Sequence, residues 1–207
     1  FLKKIINLLL INKYLLHLQH QQNTLIIMEI KITSKQVLKV LYVLAWIIFI
    51  GVCIEAGSYI FNLFITLAIN SDNASYFQLN NLYAADKSSY ITLLILMTIV
   101  GILKALLFYL IVKILWDKKL NVSNPFNKEV GRFIFNVSYL ALGTGLFAYC
   151  GVNYSQWLVS KEIKMPDIQI LGLGGADVWL FMGVTLFVIA HIFKRGIEIQ
   201  SENELTI

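Results

Sequence analysis

Three ionisable residues, Glu55, Lys104 and His191, stand inside long apolar runs of this sequence. Charged side chains are costly in the hydrocarbon of a membrane, so such residues mark ion pairs, proton relays or substrate paths. Glu55 and Lys104 have opposite charges and are the candidates for an ion pair or a proton path. Counted from the inner ends of their runs at ~1.5 Å per residue, their depths differ by roughly 12 Å, which predicts no direct bond unless the helices are shifted or tilted. The alternative places Glu55 near the outer headgroups, with Lys104 extending towards the inner interface and His191 close to that interface.

Motifs for other chemistry are missing from the sequence. It contains no HExxH zinc motif, no GxSxG nucleophile turn and no phosphate-binding loop. Cys53 and Cys150 lie in apolar runs without CxxC spacing, so neither a metal site nor a disulfide is indicated. The basic residues are not gathered into a nucleic-acid footprint. We therefore expect no enzymatic activity, no cofactor, no metal and no direct nucleic-acid binding.

Four apolar stretches are long enough to place these residues inside a lipid bilayer. The chain is 58% hydrophobic and only 14% charged, and a spanning helix needs about 20 mostly apolar residues. A soluble bundle would show a polar stripe every three to four residues, which these stretches lack. The sequence predicts an all-α membrane protein, a four-helix bundle with spans near residues 37–69, 90–112, 133–159 and 177–193. The fourth span is short and can extend backward through IQILGLGG, although Pro166 and the glycines of this stretch indicate a break in the chain.

Positive charge predicts how the bundle is oriented. Placing both termini in the cytosol puts ten Lys and Arg residues on the inner side and three on the outer side, as the positive-inside rule favours. The outer three are Lys87, Lys161 and Lys164. Aromatic residues typical of membrane interfaces agree: Tyr42, Trp46 and Trp116 for the inner interface, and Tyr90, Trp157 and Trp179 for the outer one. The predicted location is a cell membrane, with both termini in the cytosol.

Residue types also predict helix starts and close helix packing. Asn124 suits an N-cap and Pro125 the first helical position, so the third span is expected to begin there. Asp177 suits the first turn of the fourth helix, where the helix dipole favours a carboxylate. The spacing of small residues favours close approach of helix backbones, within one chain or in a homo-oligomer. These pairs are Gly101 with Ala105 and Ala141 with Gly145.

The two ends of the chain differ in character from the spans. Residues 1–27 contain no Gly, Ala, Val, Pro, Arg, Asp or Glu, and we interpret them as a non-native upstream extension or, alternatively, an interfacial helix. Residues 28–207 are then a single membrane domain. At the other end, Lys194 and Arg195 anchor the fourth span at the inner face. The acidic tail behind them, Glu198, Glu202 and Glu204, is a candidate docking site for a cytosolic protein, the alternative being a frayed tail.

From Met28 onward the chain resembles a bacterial membrane family known only as a domain of unknown function, DUF2975. The segments that carry the resemblance are KQVLKVLYVLAWIIFIGVCIEAG, FYLIVKILWDKKLNVSNPF and GGADVWLFMGVTLFVIAHIFKRGIEIQSENELTI. The resemblance implies four spans and a frequent gene neighbourhood with a helix-turn-helix regulator of the Cro/CI type. It implies no catalytic residues. Two hypotheses follow: a non-enzymatic membrane partner or sensor for such a regulator, and alternatively a small transporter or ion-conducting oligomer that uses Glu55 and Lys104.

Overall fold

The computed structural model describes residue 13 and residues 34–68, 74–117 and 127–204. Contacts divide the chain into two compact units, Phe1–Val37 and Leu38–Ile207. The segment 1–27, interpreted above as an extension, lies outside the described residues except for Lys13, so that interpretation remains a prediction. The last three residues of the tail, 205–207, also lie outside them.

Five α-helices and one short 3-10 helix lie in the ranges 34–68, 74–117 and 127–204. The α-helices are α1 (Ser34–Ala68), α2 (Asn80–Ala85), α3 (Lys87–Trp116), α4 (Lys128–Ser160) and α5 (Ala176–Glu204), and the 3-10 helix is Ala74–Phe77. No strand occurs in the described ranges. The helices α1, α3, α4 and α5 are each long and apolar enough to cross a membrane. The prediction of an all-α protein with four membrane-spanning helices is therefore confirmed.

The third spanning helix begins at a different cap from the one predicted. Asn127, not Asn124, is the N-cap of α4, and its side chain accepts a hydrogen bond from the Val130 N–H at 2.8 Å. Asn124 and Pro125 themselves lie outside the described residues. The sequence offers asparagine at both positions, and a local propensity does not choose between two caps three residues apart.

The fourth helix begins where predicted and continues beyond its predicted end. The helix α5 begins at Ala176, with Asp177 in its first turn as expected, and continues to Glu204. The possible backward extension through IQILGLGG does not occur, because residues 161–175 are not helical. Gly172 and Gly175 have positive φ values of 66° and 73°, which a continuing helix does not allow.

Residues 161–175 turn back into the bundle, and we call them the re-entrant segment. Its Leu171 and Leu173 are completely buried. A Cβ atom placed on Gly151 of α4 would lie 2.8 Å from a methyl carbon of Leu173. Gly151 precedes the last residue of α4 by nine positions, so the segment reaches about 13 Å back along that helix. Non-helical backbone at such a depth in a membrane must be buried in protein or line a cavity, and these leucines are buried.

The helices α1 and α3, and likewise α4 and α5, are in close contact, at glycines and at aromatic pairs. The helices α1 and α3 pack antiparallel, with contacts seven residues apart along α1: Tyr42 with Trp116, Phe49 with Tyr109, and Ala56 with Gly101. In α4 and α5, a Cβ atom on Gly145 would lie 2.8 Å from the backbone nitrogen of Leu180. The predicted close approaches at Gly101 and Gly145 are confirmed as contacts within one chain.

Candidate functional site

Glu55, Tyr59, Lys104 and Gly172 form one polar group inside the bundle, which we call the intramembrane cluster. The Lys104 ammonium donates a hydrogen bond to the Gly172 carbonyl, with an Nζ···O distance of 2.7 Å. The same nitrogen lies 4.0 Å from Oε1 of Glu55. The Tyr59 hydroxyl donates to that carboxylate oxygen at 2.8 Å. The cluster thus joins α1, α3 and the re-entrant segment.

The prediction that Glu55 and Lys104 lie too far apart for direct contact is wrong. It assumed that the inner ends of their apolar runs, near Val37 and Val112, are level. The ring contact between Tyr42 and Trp116, 6.1 Å between centroids, sets the register instead. Tyr42 lies five residues after Val37 in α1, and Trp116 lies four residues after Val112 in α3. At ~1.5 Å per residue, using this pair as the common level removes the expected offset between Glu55 and Lys104. The two charges therefore lie at nearly the same depth.

Residues of the cluster supply each other with hydrogen-bond partners and opposite charges. Outside a regular helix, the Gly172 carbonyl has no helical partner and requires a donor at this depth. Lys104 supplies that donor, and Glu55 balances the lysine charge. The side chain of Lys104 is 14% exposed and that of Glu55 is 38% exposed, so the cation is shielded while the carboxylate lies at the edge of the bundle. These hydrogen bonds and the ion pair hold the re-entrant segment against α1 and α3.

Gly172 is required at its position by both backbone conformation and space. Its φ of 66° is unfavourable for residues with a Cβ. A Cβ atom there would also collide with the Tyr59 hydroxyl and the Glu55 carboxylate. Sequence reasoning missed Gly172 and Tyr59. Tyr59 follows Glu55 by four residues and so shares its helix face, a signal that was available, whereas nothing local in the sequence indicated Gly172.

A second candidate site is the end of the bundle where α4 begins and α5 ends, which we call the basic end. It carries Lys128, Arg132, Lys194 and Arg195. Ile197 of α5 packs against Gly131 of α4, its Cδ1 atom 3.1 Å from where a glycine Cβ would be. The two helix ends are therefore in direct contact rather than separate.

The acidic residues of the predicted docking site lie on the helical continuation of α5. Glu198 accepts a hydrogen bond from Arg195 at 3.1 Å, and both side chains are substantially exposed. Glu202 is exposed one turn further on, and Glu204 is the last helical residue. The like-charge cost expected between Glu198 and Glu202 on one helix face is offset by the Arg195 guanidinium. Nothing in the structure tests whether the three residues bind a partner.

His191 and the two cysteines lie on the outside of the bundle. The Nδ1 atom of His191 lies 3.0 Å from the Phe187 carbonyl, and its ring contacts those of Phe135 and Phe187. Cys53 and Cys150 are free and exposed. Among the described residues, no three His, Cys, Asp or Glu side chains are grouped as metal ligands. The intramembrane cluster and the basic end are therefore the two candidate functional sites.

Four helices long and apolar enough to cross a membrane define a multi-pass helical membrane protein. The family model described as "Protein of unknown function (DUF2975)" matches residues 71–207, and the chain belongs to this family. The match begins after α1, later than the resemblance from Met28, and it includes Lys104, the re-entrant segment and the basic end. Comparison with curated proteins and with solved structures gave no match.

Proposed function

We propose that this protein is a non-enzymatic membrane partner, acting as a sensor, for a cytosolic helix-turn-helix regulator. The observation that supports this best is the ordered continuation of α5 beyond Lys194 and Arg195 to Glu204. A tail that served only as an anchor would need no helix past the basic pair. The packing of Ile197 on Gly131 fixes this helix end against the start of α4, and it provides a rigid surface for docking.

The proposed orientation places the basic end in the cytosol of a bacterium, with both chain termini on that side. Ten Lys and Arg residues against three support this arrangement. The aromatic pair Tyr42 and Trp116 then lies near the inner interface. A cytosolic basic end is accessible to a soluble regulator without any further domain.

The chemistry of the helix end suits a regulator with a basic surface. Glu198 and Glu202 are spaced by one turn, and Ile199 between them is 46% exposed. A protein that binds DNA carries Lys and Arg on its recognition surface. Docking on these acids would compete with DNA for that surface. The gene neighbourhood implied by the family resemblance suggests which regulator to test first.

The intramembrane cluster is the proposed link between the two ends of the bundle. It joins the re-entrant segment, which begins at the end opposite the basic end, to α1 and α3. Breaking the hydrogen bond between the Lys104 ammonium and the Gly172 carbonyl would free the re-entrant segment. It would also leave the charge of Lys104 without its carbonyl partner. A signal received at the re-entrant segment would in this way alter helix packing down to the basic end.

A charge reversal at Glu202 tests the docking surface. We expect Glu202→Lys to weaken co-purification of the neighbouring regulator by about tenfold and to change transcription of its targets. Glu162→Lys makes the same charge change on an exposed residue of the re-entrant segment, and it is the matched control. Equal capture of the regulator by both variants and by the unchanged protein would reject the proposed docking surface.

The second candidate function is a small transporter or ion-conducting oligomer. One observation favours it: an ion pair lies beside non-helical backbone at membrane depth, a combination found along ion and proton paths. The test is proton and ion flux in vesicles that contain the purified protein. Flux that Glu55→Ala abolishes and Glu162→Ala preserves would favour transport over the sensor proposal.

A further inference from the structure

A cleft lies between the last turns of α1 and the 3-10 helix. It has a volume of about 380 Å³ and is lined by Ser58, Phe61, Asn62, Ser75 and Tyr76. This volume falls at the lower end of the range for small-molecule pockets. Phe61 and Tyr76 are 59% and 67% exposed, so the aromatic walls are open, whereas Asn62 is only 3% exposed and lies at the inner wall.

The polar side chains of α1 in this cleft each donate one hydrogen bond to the helix backbone. Ser58 donates its hydroxyl to the Glu55 carbonyl at 2.7 Å. Asn62 donates its amide N–H to the Ser58 carbonyl at 2.9 Å. The Asn62 Oδ1 atom has no hydrogen-bond partner among the described residues. A buried acceptor without a partner is unfavourable, and the broad terminal torsion of asparagine lets the amide turn towards the cleft.

From this geometry we propose that the cleft binds a small, neutral aromatic molecule that donates one hydrogen bond to Asn62 Oδ1. The donor is required because the leftover group is an acceptor. Neutrality is favoured because none of the described residues that line the cleft carries a charge. The aromatic character follows from Phe61 and Tyr76, since aromatic rings prefer offset or edge-on contacts with other rings.

The cleft adjoins the intramembrane cluster through aromatic contacts. The rings of Tyr76 and Phe77 meet edge-on with centroids 4.8 Å apart. The ring of Phe77 in turn lies 5.3 Å from that of Tyr59, the residue that donates to Glu55. A molecule seated against Tyr76 therefore lies two ring contacts away from the cluster. The binding site itself stands on its own geometry and does not depend on the proposed sensor function.

The test uses radiolabelled indole, a neutral aromatic molecule whose only polar group is an N–H donor. Equilibrium binding is measured on the full chain in nanodiscs, with empty nanodiscs as the blank. We expect saturable binding of indole and binding of 1-methylindole that is about five- to tenfold weaker, because the methyl group removes the donor. This comparison requires no variant and is therefore independent of folding.

Three variants locate the site. We expect Phe61→Ala to weaken indole binding and Phe64→Ala to leave it unchanged, since Phe64 is 61% exposed on the same helix but does not line the cleft. Asn62→Leu should remove the preference for indole over 1-methylindole. Binding equal to that of empty nanodiscs, or equal effects of Phe61→Ala and Phe64→Ala, would overturn the proposal. Displacement of a co-purified lipid from the cleft without saturable indole binding would overturn the ligand class.

Discussion

The Lys104 ammonium donates a hydrogen bond to the Gly172 carbonyl at 2.7 Å across a separation of 68 residues in the chain. This contact connects the middle of a spanning helix to the non-helical re-entrant segment. It gives the lysine a fixed partner inside the bundle, so that its ammonium need not extend to the membrane surface. Glu55, 4.0 Å away, balances its charge. Lys104 therefore holds the re-entrant segment in place through this hydrogen bond.

Loss of the lysine should destabilise the protein more than loss of the glutamate. Lys104→Met removes the donor to Gly172 and the partner of Glu55, whereas Glu55→Gln leaves the bond to Gly172 intact. We expect Lys104→Met to cost about 2 kcal/mol, between the values typical of exposed and buried pairs. This corresponds to a fall in Tm of about 4–8 °C for a chain of this size, measured by circular dichroism in detergent.

The double variant and a matched control separate this effect from the loss of any lysine. The Glu55→Gln/Lys104→Met cycle should show a coupling of at least about 1 kcal/mol. Lys113→Met replaces an exposed lysine near the end of the same helix and should change Tm by less than about 2 °C. Additive effects in the cycle would show that Glu55 and Lys104 do not interact in the folded protein.

Two glycines with similar backbone conformation offer a second test of the cluster. Gly172 and Gly175 have φ values of 66° and 73°, but only Gly172 is crowded by other side chains. Gly175→Ala should cost about 1–2 kcal/mol for its backbone conformation alone. Gly172→Ala should cost clearly more, because its Cβ would also displace Tyr59 and Glu55. Chemical or thermal unfolding of the two variants measures the difference, and equal costs would argue against a packed cluster at Gly172.

Asp86 should make the start of α3 sensitive to acid. Its side chain caps the helix by accepting hydrogen bonds from the N–H groups of Ser88 and Ser89. The Ser89 hydroxyl hydrogen bond, followed by the Ser88 backbone hydrogen bond, lowers the pKa of Asp86 below its ordinary value of 3.8. A lowered pKa in the folded state means that the stabilisation is present above pH 3.8 and is lost as the pH falls through the folded-state pKa.

The corresponding measurement is Tm against pH for the natural protein and Asp86→Ala. The variant should melt about 2–4 °C lower at pH 6, as expected for loss of a helix cap. The two curves should converge as the pH is lowered below the ordinary pKa of the aspartate. A difference that stays constant down to pH 3 would show that ionisation of Asp86 contributes nothing to the cap.

The proposed orientation is tested by reporter fusions. A reporter fused after Ile207 should be active only in the cytosol, and one inserted near Asn80 should be active only outside it. The expectation rests on the distribution of Lys and Arg, ten against three. Periplasmic activity of the C-terminal fusion would reverse the orientation and remove the basis for a cytosolic docking surface.

The spanning helices could be predicted because their signal is local. Apolar length alone identified the four spans, and the observed helices agree within a few residues at most ends. The contact between Glu55 and Lys104 could not be predicted in this way. It depends on the register of α1 and α3, which is set by side chains on both helices, such as Tyr42 against Trp116. A count of residues from the end of an apolar run carries no such information.

The packing of the re-entrant segment could not be predicted, for a similar reason. Leu171 and Leu173 alternate with glycines, a pattern that predicts a break in the chain but does not indicate where the leucines pack. Their burial depends on Gly151, which lies on another helix and leaves room for Leu173. Lys104 and Gly172 likewise meet only when the segment turns back. Hydropathy and helix caps are local features of the sequence and do not predict non-local packing of this kind.

The central claim is that Lys104 holds the re-entrant segment inside the bundle, and thiol labelling tests it most directly. Leu173→Cys is placed in a chain with Cys53→Ala and Cys150→Ala, reconstituted in nanodiscs and treated with a water-soluble maleimide. Leu173 is completely buried, while the neighbouring Ile170 is 44% exposed and provides the positive control as Ile170→Cys. We predict that the cysteine at 173 is protected when Lys104 is present, and equally in the control variant Lys113→Met. Lys104→Met should speed its labelling at least about tenfold, because it raises the population of the open segment. Equal protection of this cysteine with and without Lys104 would contradict the account.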